Sequence, residues 1–339
     1  MPLFRRRTGS DTEGGPTGLW NRVTGRGAGR APGAVHEVDP ALGDQELAVL
    51  RTRAAAGDWA AVRDGLTAAA DPAELTWLLA MVSEVGGIER WLPEAVAAEP
   101  DSALPLLLSG ARQVAWAWEA RTRASAKYVS QEQWRTFHER LEVAEEQLYE
   151  VAEREPGWLG PWYFLQISGR GASLGADTVR YRFEAATRRH PGHLGSHRQQ
   201  LQQSCAKWSG SHEEMHHFAR TAMLAAPEGS PLGELVALAH IEHWLALDSG
   251  HDRAHMRSET VREQLHEAAD RSVFHPEYRR RRDWRVAHNT FAMAFHLADR
   301  PKTADLLFRD LDGAVTASPW HFLDGDPAKA YRTARAACA

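Results

Sequence analysis

Residues 207–220 read KWSGSHEEMHHFAR and hold His212, Glu213 and His216 in the order H-E-x-x-H. On an α-helix, side chains four apart share a face, so the two imidazoles can grip one zinc ion while the glutamate acts as general base on a metal-bound water. A zinc hydrolase needs a third protein ligand. Glu242 is the candidate, because it falls among Leu235, Leu238, Ala239 and Ala246 of GELVALAHIEHWLAL, where a carboxylate requires a partner. A second metal chemistry uses carboxylates. Di-iron bundles place Glu on two helices and Glu-x-x-His on two others, an order met by Glu184, Glu213 with His216, Glu242, and Glu263 with His266. A third feature is RRRRDWR, in which Arg279, Arg280, Arg281, Arg282 and Trp284 offer a basic, aromatic helix start to phosphate or to an acidic protein partner.

The elements that must position these residues argue against hydrolysis. Gly210 and Ser211 mark a helix start, which puts His212 in the first turn, at the positive end of the helix dipole, where a cation is disfavoured. At 100° per residue, Met215, Phe218, Ala219, Ala222 and Ala226 form one apolar stripe, with His212 and His216 on its edge and Glu213 pointing away. Zinc peptidases shape their cleft with an edge strand, and strand patterns are nearly absent here. With 17 histidines in 339 residues, two at i and i+4 around a glutamate arise easily. The pair therefore reads as helix-edge histidines and no cofactor is expected; zinc or iron belongs to the alternative, a metal-dependent enzyme. His251 and His255, in the polar SGHDRAHMRS, read as solvated.

A net charge of −5 argues against nucleic acid as the partner of the whole chain. Cys205 and Cys338 stand far apart, so neither a disulfide framework nor a cysteine zinc site is available, and a reducing cytoplasm is expected. No run of 18 apolar residues exists, so no membrane span is expected. Residues 1–43 are rich in Gly, Pro and Arg, including Arg5, Arg6, Arg7, Arg22, Arg26 and Arg30, and read as a disordered basic tail.

From 44 to 337 apolar residues recur at three- and four-residue intervals between short Gly, Pro and Asp breaks, which predicts an all-α chain. Pro100, Pro156, Pro191 and Pro227 each follow a helical segment, and the last two intervals are 35 and 36 residues. That is close to the 34-residue tetratricopeptide period. The first interval, 56 residues, implies an enlarged repeat around 101–155. With Pro191 as the closing proline, Ala186 and Phe183 take the small and aromatic positions of the second helix, Trp162 and Tyr163 the aromatic position of the first, and Ile167 stands where a small residue is expected. The chain thus resembles a degenerate tetratricopeptide-like solenoid. More narrowly, CAKWSGSHEEM, with YVSQEQW before it and AHIEHWL after it, resembles a group of mainly actinobacterial helical-repeat proteins of unassigned function, over about residues 45–250. The resemblance implies the repeat fold, a bacterial cytoplasmic setting, and a commonly apolar residue at the position of His216. The function expected is an intracellular interaction scaffold that binds a protein or peptide segment on the concave face of the array.

Overall fold

The computed structural model describes residues 38–122, 128–208 and 210–338. Of the tail expected over 1–43, residues 1–37 lie outside the described residues; 38–43 include a turn in which the Asp39 carboxylate accepts from the Ala41 and Gly43 N–H groups. The described residues form sixteen α-helices and no strand. In chain order these are α1 (Gln45–Ala55), α2 (Trp59–Thr67), α3 (Pro72–Ser83), α4 (Leu92–Ala98), α5 (Leu104–Arg121), α6 (Gln131–Arg154), α7 (Gly160–Gly171) and α8 (Ala176–Arg189). Then follow α9 (Leu194–Gln203), α10 (His212–Ala225), α11 (Glu234–Ala246), α12 (His251–Arg257), α13 (Glu259–Asp270), α14 (Trp284–Leu297), α15 (Pro301–Leu311) and α16 (Pro327–Cys338). None of the described helices is long and apolar enough to cross a membrane.

Local chemistry sets the helix ends. The carboxylates of Asp44, Asp58 and Asp71 and the hydroxyls of Ser130, Ser211 and Ser258 each accept an orphan N–H in the first turn of the helix they open. At Ser130 the Gln133 side chain returns the bond, closing a capping box. Helices α4, α6, α8 and α10 stop two residues before Pro100, Pro156, Pro191 and Pro227, because a residue preceding proline is pushed out of the α region. The long interval between the first two prolines holds the two longest helices, α5 with 18 residues and α6 with 24.

Helices α3, α5, α7, α9, α11 and α14 touch one another in succession, and α6, α8, α10, α13 and α15 pack on them. The first set is enclosed: every residue of α7 is buried, whereas α6 buries only one stripe and exposes its charges. Apolar packing falls into two clusters, one running from Ala41 to Ala186 and the other from Leu194 to Cys338. Between them α9 is amphiphilic in an unusual way, burying Ser196, His197, Arg198, Gln199, Gln202 and Gln203. A strip of buried polar groups therefore needs internal partners.

The first described helices meet a connection late in the chain. In the connection between α13 and α14, Arg281 Nη1 lies 2.9 Å from Asp71, and Arg282 pairs with Asp44 at 2.8 Å and with Glu46 and Glu74. These contacts tie α1 and α3 to a segment more than 200 positions away in sequence.

Candidate functional site

Two places combine polar chemistry with access. The first is a cleft of about 790 Å³ between α3, the start of α9, the α10–α11 connection and residues 277–283. Trp77, Met81 and Tyr163 give it apolar wall, and Asp71, Glu74, His190, Arg198 and Arg281 give it charge. At its base the Arg198 guanidinium donates to Glu234 from Nε at 3.0 Å and from Nη2, and the other Glu234 oxygen accepts from Thr290 Oγ1 at 2.8 Å. Both charged side chains are buried. Burial pulls the Arg198 pKa down, but Glu234 and Asp283 more than reverse it, so the guanidinium stays charged.

The arginines marked out in the sequence border this cleft, yet most are engaged inside the chain. Arg281 and Arg282 make the pairs just described; Arg280 pairs with Asp310 and lies 4.2 Å from the Trp284 ring centroid. Arg279 reaches only its own segment, Glu277 at 3.2 Å and the carbonyls of Pro276 and Tyr278. Trp284, the first residue of α14, stands edge-on to His288 with centroids 4.8 Å apart. Residues 279–283 are thus a loop that clamps α1 and α3, and only Trp284 and Arg285 of the run are helical.

The second place is where the H-E-x-x-H helix meets its neighbours. Ser211 caps α10 by accepting the Glu214 N–H, so His212 does occupy the first turn. His212 stacks on His243 of α11 with centroids 4.0 Å apart and planes 12° from parallel. His216 Nε2 is 3.1 Å from His243 Nδ1. One turn back on α11, His240 Nδ1 is 3.2 Å from Nε2 of His255 on α12, and its Nε2 meets the Gln264 side-chain oxygen of α13 at 2.9 Å. Five imidazoles from three helices therefore form one group. Burial, together with the neighbouring rings, holds His216 and His243 down to about 4 and His240 to about 3, and it also lowers His255. Burial thus disfavours the charged form of these four rings, so that each keeps a lone pair to act as acceptor or ligand.

The remaining residues of the metal schemes go elsewhere. Glu242 turns to the α9 side, accepting from Gln202 Nε2 and from Lys207 Nζ, each at 2.6 Å. Glu213 is exposed, as the helical wheel anticipates. Of the carboxylate set, Glu184 and Glu263 are exposed as well, and His266 lies against Phe295 with centroids 4.9 Å apart, so the structure does not gather these residues at one point. Compared with models of known families and with curated proteins, the sequence matches none.

Sequence reasoning passed over His240 and His243, and it read His255 as solvated, where the structure turns its ring into the group. The first two are visible as H-x-x-H within AHIEHWL, a spacing that puts both on one helix side. His255 has no such signal, because the polar surroundings of α12 conceal the turn that directs its ring inward; His251, by contrast, is exposed.

Proposed function

We propose that this chain is a divergent helical-repeat protein of tetratricopeptide-like helix pairs that works in the bacterial cytoplasm as an interaction module. It binds a short segment of a partner protein. The observation that carries this reading is the cleft between α3, α9 and residues 277–283. Its volume falls within the roughly 300–1,000 Å³ of sites that engulf small ligands, which suits a few residues of peptide rather than the face of a folded domain. Trp77 is an aromatic anchor on an open wall, and the paired charges of Asp71 and Arg281 offer an incoming carboxylate or ammonium a partner by exchange. Four alternate helices that stop before a proline, α4, α6, α8 and α10, with α7 wholly buried between its neighbours, support the repeat reading.

The test is selection from a random peptide library displayed on phage, using immobilised full-length protein. Peptides recovered on the wild type should share a motif and lose binding to Trp77→Ala and to Arg281→Glu, while His217→Ala on the exposed side of α10 retains it. Failure to enrich any sequence, or enrichment unaffected by both cleft variants, overturns the reading.

A further inference from the structure

We propose that His216, His240 and His255 form a binding site for one divalent transition-metal ion of the zinc class. The inference does not depend on the peptide-binding reading, since none of the three lines the cleft.

One ring nitrogen from each residue lies within 4.8 Å of the others. Tetrahedral coordination at the usual zinc–nitrogen length needs nitrogens about 3.4 Å apart, and the His240–His255 pair already stands at 3.2 Å. The third ligand must close by roughly 1.4 Å at most, which a small turn of the half-buried His216 side chain provides. An all-imidazole set suits zinc and its late first-row neighbours, and excludes magnesium and calcium, which need oxygen ligands.

The surroundings have the character of an outer ligand shell. His240 donates its Nε2–H to Gln264, which fixes the tautomer and leaves the Nδ1 lone pair aimed at His255. Without metal, His255 Nε2–H is then the donor across that contact; with metal, His255 carries its proton on Nδ1 and both lone pairs face the ion. Among the described residues the histidine ion pairs are elsewhere, His275 with Glu228 and His288 with Asp310, so no carboxylate fixes a proton on this group. Five rings packed together forgo much of their hydration, and a cation that accepts three lone pairs compensates for it. Three protein ligands leave a fourth position, as in sites that hold a water or an exchangeable ligand.

The experiment uses the full chain, stripped with chelator and dialysed. Zinc is titrated against a chromogenic chelator, and cobalt is added separately as a spectroscopic probe. Expected are one zinc per chain, a visible tetrahedral cobalt spectrum saturating at one equivalent, and a rise in Tm with zinc. His255→Ala, at the edge of the group, should weaken zinc at least about 100-fold, and Gln264→Ala, through positioning, about 10-fold. His251→Ala and His217→Ala, both exposed, should leave affinity unchanged. Circular dichroism checks that each variant keeps its helices; if His255→Ala does not fold, His216→Gln is read in its place. Absence of a saturable cobalt band in the wild type, or equal loss in the exposed-histidine controls, overturns the site.

Discussion

Replacing one partner of the Arg198–Glu234 pair is the sharpest probe of how the centre of this fold is held. The pair joins α9 to α11, and through Thr290 to α14, with side-chain exposures of only 4% and 1%. Arg198→Met leaves a carboxylate with one neutral donor and no cation; Glu234→Leu leaves a guanidinium with only Asp283, 3.9 Å away. Stranding a buried charge costs about 3–5 kcal/mol, whereas exchanging both partners for apolar side chains of similar volume is close to neutral. For a chain of this size about 2 °C of Tm accompanies each kcal/mol, so each single variant should melt roughly 6–10 °C below the wild type and the double variant Arg198→Met/Glu234→Leu well above either single one. The Arg198→Met deficit should also shrink on acidification, since the stranded Glu234 can take up a proton. The assay is thermal unfolding followed by far-ultraviolet circular dichroism at pH 7.5 and pH 5. Single variants within about 2 °C of wild type, the worth of a surface pair, or a double variant equal to the sum of its parts, would refute the argument.

The remaining expectations concern pH and the start of α10. Burial keeps His193 well below the ordinary histidine range, lowers His197, and holds His288 down to about 4 despite Asp310 at 2.9 Å. The unfolded chain takes up these protons from about pH 6.5 downward while the folded chain resists them, so stability present above that pH is lost toward pH 4, by up to about 1.4 kcal/mol per pH unit per histidine. A Tm that stays flat from pH 7.5 to pH 5 contradicts this. Gly210→Ala would put a Cβ 2.0 Å from the Ser204 carbonyl oxygen and should cost about 3 kcal/mol, against about 1 kcal/mol for loss of the cap in Ser211→Ala. Urea midpoints that reverse this order refute the close approach.

Helix content and helix ends were legible because they depend on neighbours in sequence: Ser211 caps α10, and each of the four prolines stands two residues past a helix. The apolar stripe of α10 is also as read, with Met215 and Ala219 buried and Glu213 exposed. Glu242 illustrates what periodicity leaves open. The pattern says that a carboxylate enters an apolar face, but its partners, Gln202 of α9 and Lys207 of the connection after it, come from 35 to 40 positions earlier. The same holds for the arginine run, whose charge suggests an outside partner until the carboxylates of α1 and α3 arrive across more than 200 residues. Imidazoles give no hydrophobic or charge signature of their own, so a histidine group assembled from three helices is invisible until those helices are placed.

Joining residues 44–74 to 281–282 alters how the molecule can come apart. A linear stack of helix pairs, each touching only its neighbours, frays from its free ends and nucleates wherever one pair forms. A stack whose first helices are pinned to a late connection has no free N-terminal end. Opening α1 breaks contacts whose other half lies near the start of α14, and forming them requires closure of a loop of more than 200 residues, which is entropically demanding. In hydrogen exchange the amides of α1 and α3 should accordingly be protected together with the centre of the protein and not open as a fraying end.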